Sequence, residues 1–148
     1  MKALIQRVTN ASVTIEGKLH SEIQQGLLVF LGISSDDTEV KLNTLAAKII
    51  NLRIFSDKDD KMNLSVKDIN GEIMLISQFT LCADNGKSGN RPSFIYAARP
   101  EIAEPIYEKF ITALQNEYKS EKVRTGVFGA DMKINLINDG PVTIILER

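Results

Sequence analysis

The sequence predicts an α+β domain: a mainly antiparallel sheet or partly closed barrel with two helices packed on it. Three observations point there. Apolar residues alternate, or run together, in about seven or eight short stretches of strand character. Apolar spacing of three and four residues recurs in only two places, so there are two helices. The order of these segments does not alternate regularly between strand and helix, as an all-parallel sheet would require.

Residues 2–15 (KALIQRVTNASVTI) alternate well enough for one strand, with a bend expected near Asn10. Glu16-Gly17 is a turn signal and 18–23 a short return strand. Gly26 precedes Leu27-Leu28-Val29-Phe30-Leu31, an apolar run suited to a strand buried on both faces. Ser34-Ser35-Asp36-Asp37 is loop and helix-cap chemistry. Leu42, Leu45, Ala46 and Ile49 then mark an amphipathic helix over 38–50. A short strand at 52–55 leads into a polar loop at 56–63, and the turn at Asn70-Gly71 opens a strand at 72–81.

Residues 83–92 (ADNGKSGNRP) form the longest irregular stretch. Pro100 suits the first turn of the second helix, whose apolar stripe reads as Ile102, Ile106, Phe110, Ile111 and Leu114. Pro105 removes one hydrogen bond from that helix and is a candidate kink. Strands are expected at 122–127, 131–137 and 141–147, with Asn138-Asp139-Gly140 as the tight turn joining the last two.

The chain has 148 residues and divides into no second domain by repeat, linker or low-complexity tract. A domain of this size can bury a core without disulfides or a structural metal. No stretch approaches the ~18 apolar residues of a membrane span, and Met1 to Gln6 lacks the features of a secretory signal. The expectation is a cytoplasmic protein that engages no membrane. The net charge of −1 argues against a partner held by long-range attraction, such as duplex DNA. RNA bound at a single end stays compatible with it.

The residue inventory limits the chemistry. One cysteine, Cys82, and one histidine, His20, cannot build a four-ligand zinc site. A Ser-His-Asp or Cys-His apparatus needs a histidine base, and His20 sits in a polar hairpin beside Lys18, Ser21 and Glu22. Cys82, at the end of an apolar strand, reads as a packing residue. A hydrolase built on this chain would work without those devices, and no cofactor is called for.

Two segments stand out. Ser77-Gln78-Phe79-Thr80-Leu81 places polar groups at the end of an apolar strand that runs into an irregular loop. It is either ordinary strand alternation, Ser77 and Phe79 on one face and Gln78 and Thr80 on the other, or a site whose backbone N–H groups stabilise an oxyanion. Asn138-Asp139-Gly140-Pro141-Val142-Thr143 is either a plain hairpin turn or a functional element. Pro141 there fits an edge strand, and edges invite pairing with a second chain. Arg7 lies on the strand face of Ala3, Ile5 and Thr9, and needs partners if buried. Lys87, Arg91, Arg53 and Lys133 offer either a modest phosphate-facing patch or scattered surface charge.

Taken together, the short segments are more specific. Ile5-Gln6-Arg7-Val8, Gly26-Leu27-Leu28-Val29, Asn51-Leu52-Arg53-Ile54-Phe55, Lys61-Met62-Asn63-Leu64, Ser77-Gln78-Phe79-Thr80-Leu81, Arg91-Pro92-Ser93-Phe94, Thr125 to Met132 and Asn138 to Thr143 occur in that order along the whole chain. In this the sequence resembles the D-aminoacyl-tRNA deacylase family. The resemblance implies a homodimer with active sites at the subunit interface, acting on the 3′ end of aminoacyl-tRNA. It implies that Ser77, Gln78, Phe79 and Thr80 form the catalytic floor, with N–H groups near Phe79 and Thr80 as the oxyanion site. It further implies that Gly140-Pro141 is a cis-peptide gate inserted into the neighbour's pocket, oriented by Arg7. That gate would reject L-amino acids sterically, leaving D-aminoacyl-tRNA and glycyl-tRNA as substrates. Phe128, Gly129, Ala130, Met132 and Asn138 would line the adenosine and substrate pocket. One departure is that Lys87-Ser88-Gly89-Asn90-Arg91-Pro92 is one residue longer than the family pattern. The competing readings are a non-catalytic RNA-end binding module and a synthetase-type editing domain of opposite chirality.

Overall fold

The structure is a computed structural model and describes residues 1–84, 86 and 90–148. Its elements in order are β1 (Lys2–Ile15), β2 (Lys18–Ile23), β3 (Gly26–Gly32), α1 (Glu39–Ile50), β4 (Phe55–Ser56), β5 (Met62–Leu64), β6 (Glu72–Ser77), α2 (Pro100–Glu117), β7 (Val123–Thr125) and β8 (Met132–Glu147). Short 3-10 turns occupy Phe79–Cys82 and Ser120–Lys122.

β1 organises the sheet because it is long enough to serve three neighbours. Its second half pairs with β2, its first half with β3, and its whole length with β8, all antiparallel. β3 continues to β6 and β6 to β7 in parallel, and helices α1 and α2 make the crossovers that parallel neighbours need. The sheet order is β2-β1-β3-β6-β7. β2 then comes round to β7, where the Ser21 hydroxyl donates to the Thr125 carbonyl at 2.8 Å. The result is the expected α+β architecture: two helices on a mostly stranded sheet that almost closes into a barrel.

Alternation along β3 and β6 separates two cores. Leu27, Val29, Leu31, Ile73 and Leu75 face outward, where α1 and α2 cover them. Leu28, Met74 and Ile76 face the barrel interior with Val8, Ala11 and Val13 of β1. The pairing of β1 is irregular between Val8 and Asn10, close to the expected bend. Ala3, Ile5 and Arg7 face the helices before that point, and Ala11 and Val13 face the interior beyond it, so the irregularity passes β1 from one core to the other.

Several expectations require correction. β6 stops at Ser77 rather than continuing to 81. Phe79 and Thr80 therefore do not alternate on strand faces; both are exposed on the turn that follows. The residues 138–140 are not a hairpin turn between two strands. β8 runs through them as one strand, because β1 is long enough to pair with both halves, and only the stretch around Gly140 leaves the ladder. The strand expected at 52–55 shrinks to Phe55–Ser56, paired with Met62–Leu64 inside the expected polar loop. The buried face of α2 is Ala103, Tyr107, Phe110, Ala113 and Leu114, turned away from Ile102, which is exposed. α2 passes unbroken through Pro105.

Candidate active site

A cavity of about 530 Å³ opens where the parallel strands β3 and β6 end. This is the end of a parallel sheet at which ligands characteristically bind, and the volume suits a small-molecule or terminal-nucleotide ligand. Ser77, Gln78 and Phe79 form one wall. The loop after β7 supplies Phe128, Gly129, Ala130 and Met132, and Ala98, Pro100 and Ala103 close the side under α2. Gly129 sits at φ +72 with open space around its α-carbon, a conformation that suits glycine.

The chemistry available in this cavity is narrow. Among its described lining residues Asp131 is the one ionisable group, and it is exposed and paired with Lys133 at 2.9 Å. His20 is exposed on β2, and Cys82 is buried against the Ser34 hydroxyl at 3.5 Å. Neither lines the cavity. The Thr80 hydroxyl accepts a hydrogen bond from the Gln78 amide at 2.6 Å, and no basic side chain among the described residues bonds to it. In the turn Phe79–Cys82 the first internal bond is donated by Leu81 N–H to the Gln78 carbonyl at 3.2 Å. The N–H groups of Phe79 and Thr80 precede it, so the turn itself supplies them no acceptor.

A second group of expected site residues lies apart from this cavity. Arg7 is buried on β1, donating through Nη1 to the Ile54 carbonyl at 2.6 Å and through Nε to the Asp139 carbonyl at 3.0 Å. Its Nε also lies 3.2 Å from the Asp139 carboxylate. The Gly140-Pro141 peptide is cis, and both residues are exposed. Gly140 has φ +126, and a β-carbon there would meet Arg7 Nη2 at 2.9 Å. Asn138 closes the base of this excursion: its side-chain carbonyl accepts from Val142 N–H at 2.9 Å and its amide donates to the Thr143 hydroxyl at 3.0 Å. Asn138 thus lies with Gly140-Pro141 and is not among the residues that line this chain's own cavity.

Thr80, too, lies just outside the lining. The lining includes residues that sequence reasoning passed over, among them Leu31, Ile33, Ile76, Ala98, Pro100, Ala103 and Ile134. Apolar residues at strand ends and helix starts carry no chemical signature, so they could have been found only through the parallel pairing of Leu31 with Ser77. Of the four charges read as either a phosphate-facing patch or scattered surface charge, two have partners of their own. Arg53 is committed to Asn63, donating to its backbone and side-chain oxygens at 2.7 and 2.8 Å, and Lys133 to Asp131. Lys87, with Ser88 and Gly89 of the lengthened loop, lies outside the described residues.

This fold and cavity define a class, an α+β near-barrel with a histidine-free pocket at its parallel strand ends. Residues 4–147 match the family described as D-Tyr-tRNA(Tyr) deacylase. The chain is 59% identical over 147 residues to the D-aminoacyl-tRNA deacylase of Flavobacterium psychrophilum, covering 99% of this chain and 97% of that one. It is 56% identical to the protein of the same name from Porphyromonas gingivalis over the same shares. The chain belongs to the D-aminoacyl-tRNA deacylase family. Among solved structures it is similar to the c-Myc DNA Unwinding Element Binding Protein, with TM-score 0.95 and 46% identity over 100% of this chain and 99% of that one. It also shares its fold with a probable eukaryotic D-amino acid tRNA deacylase at TM-score 0.83 and 14% identity, covering 98% and 97% of the two chains. Among the described residues no helix is long and apolar enough to cross a membrane.

Proposed function

We propose that this protein hydrolyses the ester bond of D-aminoacyl-tRNA, releasing the D-amino acid and the tRNA, and that it acts as a homodimer in the cytoplasm. The observation that carries the reading is the cavity at the ends of β3 and β6. It joins the Ser77-Gln78-Phe79 wall to an apolar chamber whose single ionisable group, among the described residues, is an ion-paired, exposed aspartate. An activated ester needs little more than a placed water and oxyanion stabilisation. The N–H groups of Phe79 and Thr80 are the donors we assign to the oxyanion. A substrate ribose hydroxyl positions the water, and Phe128, Gly129, Ala130 and Met132 receive the terminal adenosine.

Chirality is set in this reading by Gly140-Pro141. Both stand exposed on the outside of their own chain, away from its cavity. That placement supports a role in the cavity of a second copy, where backbone carbonyls exclude an L side chain and admit a D side chain or glycine. Arg7 and Asn138 hold the element in shape.

The test is hydrolysis of matched D- and L-aminoacyl-tRNA by purified protein in the presence of a chelator. We expect release from the D-ester and from glycyl-tRNA, and none from the L-ester. Tight binding of the tRNA end without release from either would replace this reading with that of an RNA-end binding module.

A further inference from the structure

We infer that Tyr107, on α2, is a positioning residue that acts through Phe128 to set the wall of the substrate cavity; this rests on the function proposed above. Tyr107 is 1% exposed. Its hydroxyl donates to the Leu75 carbonyl at 2.9 Å. The same carbonyl accepts the N–H of Gly126 at 3.0 Å. One backbone oxygen, with its two lone pairs, therefore joins the three elements that build the cavity: β6 two residues before Ser77, the loop that begins after β7, and α2.

The Tyr107 ring reaches further than its hydroxyl. Its centroid lies 5.8 Å from that of Phe128, with the ring planes inclined at 49°, within the range in which aromatic pairs attract. Phe128 is half-buried and lines the cavity. Beyond Gly126 its loop is held, among the described residues, by one backbone bond, Ala130 N–H to the Val127 carbonyl at 3.2 Å. Gly129, next to Phe128, has no neighbour within 4 Å of where a β-carbon would stand. The loop thus owes the placement of Phe128 largely to the ring behind it. Phe110, one turn further along α2, fills the core with a ring alone. Tyr107 differs in combining a hydroxyl fixed to the strand with a ring against the cavity wall.

The experiment measures steady-state hydrolysis of a D-aminoacyl-tRNA by wild type, Tyr107→Leu and Tyr107→Phe, with thermal unfolding recorded on each. Tyr107→Leu removes the ring contact, so KM should rise about fivefold with kcat within about twofold, the signature of lost binding rather than lost chemistry. Tyr107→Phe keeps the ring, so KM should return close to wild type even though the lost hydrogen bond lowers the melting temperature. An unchanged KM in Tyr107→Leu, or Tyr107→Phe as impaired as Tyr107→Leu, overturns the assignment and leaves Tyr107 a core residue. If Tyr107→Leu does not fold, Tyr107→Met, closer in volume and more adaptable, takes its place with the same expectation; failure of both to fold overturns the assignment as well. A wild type inert toward the D-ester would sink the proposed function and this inference together, whereas an active wild type with a ring-insensitive KM sinks this inference alone.

Discussion

Arg7 Nε donates to the Asp139 carbonyl at 3.0 Å, on the residue immediately before Gly140-Pro141. The guanidinium is held from its other side by the Ile54 carbonyl at 2.6 Å. One planar group thus fixes the β8 excursion against the segment between α1 and β4. The Asp139 carboxylate contributes less, being 38% exposed and screened by solvent. Two carbonyl bonds from a buried cation carry most of the interaction, at about 1.5–3 kcal/mol each.

Arg7→Met should therefore destabilise the protein by about 3 kcal/mol, since it strands two acceptors in a buried site. Urea denaturation measures this. Arg7→Lys keeps the charge but cannot reach both carbonyls with a rigid fork. We expect its main defect in discrimination, with L-aminoacyl-tRNA hydrolysis appearing while the D-rate stays within about tenfold of wild type. If the D/L ratio of Arg7→Lys matches wild type, Arg7 supports the fold and not the gate.

Thr80 is the hydroxyl that invites a nucleophilic role, and its geometry argues otherwise. The group accepts a bond from Gln78 Nε2 at 2.6 Å and has no basic partner among the described residues. Thr80→Ala removes the hydroxyl while leaving the Phe79 and Thr80 N–H groups in place. Loss of a true oxyanion donor costs about 10²–10³ in kcat, so a loss below about tenfold is expected here. A folded Thr80→Ala protein with no detectable turnover would restore the hydroxyl as nucleophile.

How much of this was legible in the sequence varies with the range of the interaction. β1, β2, β3 and α1 lie close to where periodicity and turn residues place them, because local pattern and burial agree there. The strand expected at 72–81 fails after Ser77 for a reason partly outside the segment: its partner β3 ends at Gly32, and Leu81 N–H turns back to the Gln78 carbonyl at 3.2 Å as the chain coils against Gly32. The hairpin expected at 138–140 fails because pairing with β1 on both sides outweighs a local turn signal. Arg7 was legible as a buried charge that needs partners, but Ile54 and Asp139 were not, since both are backbone acceptors distant in sequence. The α2 stripe was misplaced by one position because Ala103 and Tyr107, neither strongly hydrophobic, are the residues that face the sheet.

Gly126 offers the most direct way to alter the cavity without touching its chemistry. It is buried, and a β-carbon built there would stand 2.5 Å from Met132 Sδ and 3.0 Å from Ile76 Cδ1, both of which line the cavity. Neither obstacle is backbone, and a methionine chain can re-route at small cost. Overpacking of about 1–3 kcal/mol is partly offset by the about 0.4–1 kcal/mol gained when alanine restricts the unfolded chain. Gly126→Ala should therefore fold with a stability loss of about 1 kcal/mol, while Met132 is driven into the cavity. We expect KM for D-aminoacyl-tRNA to rise about three- to tenfold, with the D/L ratio unchanged because Gly140-Pro141 is untouched. A parallel Met132→Ala, Gly126→Ala double variant should recover most of the KM, since it removes the displaced side chain. If the double variant binds no better than Gly126→Ala alone, the cavity is shaped there by the backbone of the β7 loop and not by Met132.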